Sequence, residues 1–81
     1  MSYSVYIVEC SDGTLYTGIA KDVHRRIDEH NTSDKGAKYT RARRPVTLKY
    51  SQELEDRSSA SKREYAIKKL SREEKIGLFS D

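Results

Sequence analysis

From Tyr3 to Glu9 the chain reads Tyr, Ser, Val, Tyr, Ile, Val, Glu, a β-branched and aromatic run with apolar groups on both alternating faces. That pattern predicts a buried strand. Ser11, Asp12 and Gly13 carry turn chemistry, and Leu15, Tyr16, Thr17, Gly18 and Ile19 form a second short strand, so the first twenty residues predict a β-hairpin. Its register decides which side chains meet. A three-residue loop with Gly13 left-handed pairs residue 10 with 14, 8 with 16 and 6 with 18, which puts Tyr6 and Tyr16 on one face. A two-residue Asp12-Gly13 turn would put them on opposite faces. The three-residue loop is the prediction.

Asp22 can cap a following helix, and Val23 and Ile27, four apart, give that helix a narrow inward stripe that should end near Asn31. Residues 32–44 hold Thr, Ser, Asp and Gly and then a basic run, which predicts a loop with room for one helical turn. Pro45 closes it. Val46, Leu48 and Tyr50 then alternate with Thr47, Lys49 and Ser51, the pattern of a strand with one face on the core and one in water. Ser58 or Ser61 can cap the next helix, running to about Leu70. Ser71 with Glu74 matches a capping box for a short final helix whose apolar side is Ile76, Leu78 and Phe79. The predicted order is β, β, α, β, α, α: an α+β fold with a small three-stranded antiparallel sheet flanked by helices.

Polar residues on inward positions point to chemistry. At about 100° per residue, His30 projects within the Val23 and Ile27 face and Arg26 lies at its margin. On the later helix Ala60, Glu64, Ile67 and Ser71 share one face, so Glu64 points inward. A desolvated carboxylate is costly without a cation, so Glu64 is expected to face Arg26, a metal ion or both. Each of these residues also has a plain structural reading: an Arg26–Glu64 ion pair, an edge histidine, and tyrosines that favour strands in any case.

With 81 residues the chain has room for one domain, residues 1–81, and a thin core. Charged residues are 36% and hydrophobic ones 35%, polar for a folded domain yet short of a disordered composition. The single cysteine, Cys10, excludes an internal disulfide and offers no metal-ligand spacing, which suits a reducing compartment. No stretch has the length and apolarity of a membrane span or a secretory signal, so a soluble, cytoplasmic protein is expected. The net charge of +3 is unevenly placed. Residues 1–34 carry three basic and six acidic side chains, residues 51–81 seven of each, and residues 35–50 six basic and none acidic. Lys35, Lys38, Arg41, Arg43, Arg44 and Lys49, with Tyr39 and Tyr50 interleaved, could meet phosphates through their cations and bases through their rings. A solvated basic loop has the same pattern.

Together these residues resemble the GIY-YIG nuclease superfamily, and more closely its small standalone UPF0213-like branch, over nearly the whole chain. Ser4-Val5-Tyr6 stands where the family's first motif stands and Tyr16-Thr17-Gly18 where its second stands. Arg26, His30 and Asn31 resemble the helix motif, and Glu64 the metal-binding glutamate. Gly36-Ala37-Lys38-Tyr39-Thr40, with Arg43, Arg44 and Pro45, is similar to the standalone branch. Ser4 replaces the family's glycine and Thr17 its isoleucine, both at backbone or packing positions.

The resemblance implies hydrolysis of a nucleic-acid phosphodiester, DNA ahead of RNA, by water and a single divalent cation, Mg2+ or Mn2+, held by Glu64. It implies that Tyr6 orients or deprotonates the water, that Arg26 stabilises the transition state, and that Tyr16 and His30 position the phosphate or assist proton transfer. Gly18, Asn31, Lys35, Lys38, Tyr39, Arg41, Arg43 and Arg44 would hold substrate. Many family nucleases carry a separate DNA-binding domain, so a protein partner is expected to supply specificity. Two other readings stay open: a nucleic-acid-binding module without catalysis, and an interaction domain of a larger repair complex.

Overall fold

The computed structural model describes residues 2–32 and 38–80. Strands β1 (Tyr3–Glu9), β2 (Leu15–Ala20) and β3 (Thr47–Leu54) form one antiparallel sheet in the order β2-β1-β3. Helix α1 (Val23–Thr32) follows the hairpin, the single turn α2 (Lys38–Arg41) precedes β3, and α3 (Arg57–Lys68) and α4 (Arg72–Gly77) close the chain.

Strand β1 is paired along both edges and covered on both faces, by α1 on one and by α3 and the residues after α4 on the other, as its unbroken apolar run requires. Tyr6 and Val8 face one way, with Cys10 and Val46, and α1 packs Val23 and Ile27 against them. Val5 and Ile7 face the other way, under Ile67 of α3 and the Leu78 and Phe79 side chains that follow α4. Cys10 is buried, its thiol pushed up by that burial, which suits a packing role.

The hairpin adopts the three-residue loop. Gly13 is left-handed (φ +84°), Val8 pairs with Tyr16 and Tyr6 with Gly18, so the two tyrosines share a face. Asp12 stiffens the loop by accepting from the Thr14 backbone N–H (3.1 Å) and hydroxyl (2.6 Å).

Strand β3 departs from the simple alternation expected of it. Its partners on β1 shift between Ile7, opposite Tyr50, and Val8, opposite Leu48, so Lys49 is an extra residue in the ladder. Adjacent β1 residues point to opposite faces. The bulge therefore sends Leu48 to the α1 side and Tyr50 to the α3 side, where a regular strand would have kept both on one face. The strand also runs on to Leu54.

Helix α3 starts earlier than Ser58 or Ser61. Asp56 is its cap, accepting from the Ser59 N–H at 2.8 Å, because a carboxylate there meets the unpaired first-turn amides. The Ser71–Glu74 capping box of α4 is present in both directions. Among the described residues no helix is long and apolar enough to cross a membrane.

Candidate active site

The hairpin register sets Tyr6 and Tyr16 with ring centroids 6.5 Å apart on the α1 side. Gly18 lies across the ladder from Tyr6, and a Cβ added there would fall 2.6 Å from the Tyr6 hydroxyl oxygen and 2.8 Å from Cζ. Only a glycine leaves room for the ring end. Gly18, expected to hold substrate, forms a floor under the Tyr6 hydroxyl.

Helix α1 brings His30 to the same place, as the stripe of Val23 and Ile27 predicted. The imidazole is fully buried, with Nε2 2.8 Å from the Tyr6 hydroxyl oxygen and Nδ1 2.8 Å from Thr40 Oγ1. Burial, helped by the nearby charges of Arg26 and Arg44, lowers the His30 pKa to about 4, so the ring is neutral near pH 7. Burial likewise raises the Tyr6 phenol to about 12, although the Arg26 guanidinium against its oxygen pulls the other way.

Arg26 touches Tyr6 and bonds Glu29 at 3.0 Å, an i,i+3 pair that helix spacing allows. Its side chain is only 27% exposed. Beside it a shallow groove of about 260 Å³ runs between the end of β2 and α1, rimmed by Lys21, Asp22, Arg25, Arg26 and Glu29. Tyr6 itself is 1% exposed, so the outward surface of the cluster is formed by its neighbours.

Tyr16 lies edge-on to His30, with centroids 5.4 Å apart, and stacks on Tyr39 of α2 at 5.9 Å. The Arg43 guanidinium sits 4.2 Å from the Tyr39 centroid, held by Asp12 (3.1 Å) and the Tyr39 carbonyl (2.7 Å). Much of the basic segment is thus bonded into the protein. Arg44 donates through Nε to the His30 carbonyl, closing the end of α1. Asn31, expected to hold substrate, instead donates to the Val46 carbonyl (3.1 Å) and accepts from the Val46 N–H (2.7 Å), joining α1 to the start of β3. Lys49 pairs with Glu9 at 3.8 Å. Arg41 is exposed, Lys38 opens α2, and Lys35 lies outside the described residues.

Glu64 sits on α3 between the fully buried Ala60 and Ile67, and its side chain is 24% exposed. Its ion pair is with Lys68 at 3.4 Å, while the carboxylate that holds Arg26 is Glu29; the expected Glu64–Arg26 pair is replaced by these two. The Glu64 charge nonetheless reaches Tyr6, raising its pKa. Among the described residues no three His, Cys, Asp or Glu side chains converge on one point, so a cation here would take Glu64 and complete its shell with water and substrate oxygens. Glu64 fits that use: its partner Lys68 is 55% exposed, and an exposed pair of this kind is worth about 0–1 kcal/mol, little to displace.

Thr40 stands in the Gly36–Thr40 stretch with no role expected of it, and Glu29 is not among the expected site residues. The Glu29 signal was available, three residues after Arg26 on a predicted helix. The Thr40 role has no local signal, because its partner lies ten residues back on α1.

Comparison with known proteins places these features in a wider set. The family described as the GIY-YIG catalytic domain matches residues 2–76. A UPF0213 protein of Desulfotalea psychrophila is 66% identical over 70 residues, 86% of this chain and 64% of that protein. This chain therefore spans just under two thirds of that relative. A UPF0213 protein of Halobacterium salinarum is 56% identical over 77 residues, covering 95% of this chain and 99% of the relative. The solution NMR structure of a UPF0213 protein from Bacillus halodurans is 47% identical with a TM-score of 0.60, covering 96% of this chain and 82% of its own. That of an E. faecalis protein is 41% identical with a TM-score of 0.63, covering 96% and 83%.

Proposed function

The chain belongs to the GIY-YIG family, and from that premise we propose that it is a divalent-metal-dependent endonuclease that hydrolyses nucleic-acid phosphodiesters, DNA ahead of RNA. The observation that carries the reading is the convergence on one hydroxyl, that of Tyr6, of a neutral buried imidazole and a guanidinium. Buried titratable groups bonded to one another and shifted by burial are what catalytic sites gather.

The phosphate of the substrate would enter the groove beside Arg26, where Lys21 and Arg25 add positive charge. Arg26, drawn from Glu29 toward the anion, would neutralise charge growing on the non-bridging oxygens. The Tyr6 oxygen would then accept a proton from the attacking water while its own proton passes to His30 Nε2. The phenol alone is a poor source of base, since at about 12 its ionised fraction near pH 7 is roughly 1 in 10^5. Passing the proton on to His30 avoids a free phenolate. Glu64 would hold Mg2+ or Mn2+, which when bound polarises a phosphoryl oxygen. Tyr16 would position the phosphate, and Tyr39, Arg41, Lys38 and Lys35 would contact the flanking strand. A protein partner would supply sequence or structure specificity, and DNA repair is the setting such an activity suits.

Titrating magnesium or manganese against nicking of supercoiled, branched and single-stranded DNA tests this. The wild-type chain should cut in proportion to bound metal, and Glu64→Ala should lose all metal-dependent cutting. Equal activity in the Glu64→Ala chain would refute the assignment, and gel shifts without cutting at any metal concentration would make the protein a binding module.

A further inference from the structure

We propose that Thr40 is a positioning residue for Tyr6: by accepting the His30 Nδ1 proton, it holds the imidazole in the tautomer whose bare Nε2 takes the Tyr6 hydroxyl hydrogen. The catalytic consequence rests on the nuclease reading above, whereas the tautomer does not.

A neutral imidazole has one N–H and one bare nitrogen, so the chain Thr40 Oγ1–Nδ1–Nε2–Tyr6 Oη admits two assignments. In one, Thr40 donates to Nδ1 and Nε2–H donates to Tyr6. The Tyr6 hydrogen would then need another acceptor, and its other partner, Arg26, has only N–H donors to offer. With Tyr6 1% exposed, water is no ready substitute. In the other assignment, Nδ1–H donates to Thr40, Tyr6 donates to Nε2, and the Tyr6 oxygen accepts from Arg26. Both ring nitrogens and the Tyr6 hydroxyl are then satisfied.

The second arrangement has a directional result. The Tyr6 hydrogen points to His30, and the Tyr6 oxygen is left as an acceptor on the side of Arg26. A water admitted there when substrate draws Arg26 aside would meet an acceptor. Thr40 is itself fully buried and lies on α2 between Tyr39, which stacks on Tyr16, and the exposed Arg41. The turn that presents side chains to the substrate thus also sets the proton on His30. Without Thr40 the Nδ1–H tautomer loses its acceptor and with it the preference over Nε2–H, the tautomer that turns the Tyr6 hydroxyl around.

The test is the His30 tautomer, read from 15N shifts and ring couplings by NMR at pH 7; the other histidine, His24, is exposed and serves as an internal reference. The wild-type chain should show Nδ1–H. Thr40→Val should shift the population toward Nε2–H and slow cleavage about 10- to 100-fold at saturating DNA with unchanged DNA affinity, and Thr40→Ser should restore both. A wild-type Nε2–H tautomer overturns the inference. So does a folded Thr40→Val chain with unaltered tautomer, and so does Thr40→Ser behaving like Thr40→Val. Should the wild-type chain cut no nucleic acid, the nuclease reading falls, while the tautomer data still decide the role of Thr40.

Discussion

His30 and Tyr6 are the two residues whose burial most alters their chemistry, and the same burial links site to stability. The His30 pKa falls from its ordinary 6.5 to about 4, chiefly through desolvation, so the folded protein resists a proton that the unfolded chain accepts. The stability this confers is complete above about pH 6.5 and is lost as pH falls toward 4, a total of about 3 kcal/mol at about 1.4 kcal/mol per pKa unit. Tyr6 acts in the opposite direction. Its pKa, raised by burial from 10.0 to about 12, leaves its contribution intact below pH 10 and removes it as pH climbs toward 12. Urea denaturation across pH should show a plateau between about 6.5 and 9 with a fall on each side, Cys10 and then Tyr6 contributing to the alkaline one. In His30→Gln the acid-side fall should shrink; an unchanged acid limb would assign it to other groups. His30 was legible as a residue on the apolar stripe of α1, but its depth was not, because the covering α2 turn and Thr40 come from a segment with no periodicity of its own.

At the scale of elements, the hairpin and α1 were readable because each rests on local signals: a β-branched run, a left-handed glycine in the loop, a capping aspartate and a four-residue apolar spacing. Strand β3 was misread in its facing. The bulge at Lys49 depends on the pairing with β1, a long-range fact that the alternation of β3 conceals. The cap of α3 was missed because Asp56, Ser58 and Ser61 are all competent caps, and the end of β3 decides which one the helix uses. The close approach of β2 to the Tyr6 ring gives a direct test. Gly18→Ala should displace the phenol, destabilise the fold by about 1–3 kcal/mol and break the Tyr6–His30 bond, seen as loss of the slowly exchanging Tyr6 hydroxyl proton by NMR. An alanine tolerated with that signal intact would show that the strand has slack.

Across the whole molecule, the sequence located the site better than it described the site's partners. Tyr6, Tyr16, Arg26 and His30 meet on the α1 side of the sheet, while Glu64 comes from α3, whose Ile67 packs on the other side, and its charge acts on Tyr6. The basic segment is likewise less open than its charge suggested, with Arg43 and Arg44 bonded inward and Asn31 joined to Val46. Those pairings cross 14 to 31 residues and leave no periodic trace.

If the Tyr6 oxygen takes the proton of the attacking water, removing that oxygen must slow the chemical step and leave binding intact. Single-turnover cleavage of a branched DNA by Tyr6→Phe, at protein concentrations that saturate the substrate, should be slower than wild type by at least about 100-fold with DNA affinity unchanged. A Tyr6→Phe chain that cuts within a few-fold of the wild-type rate would contradict the account.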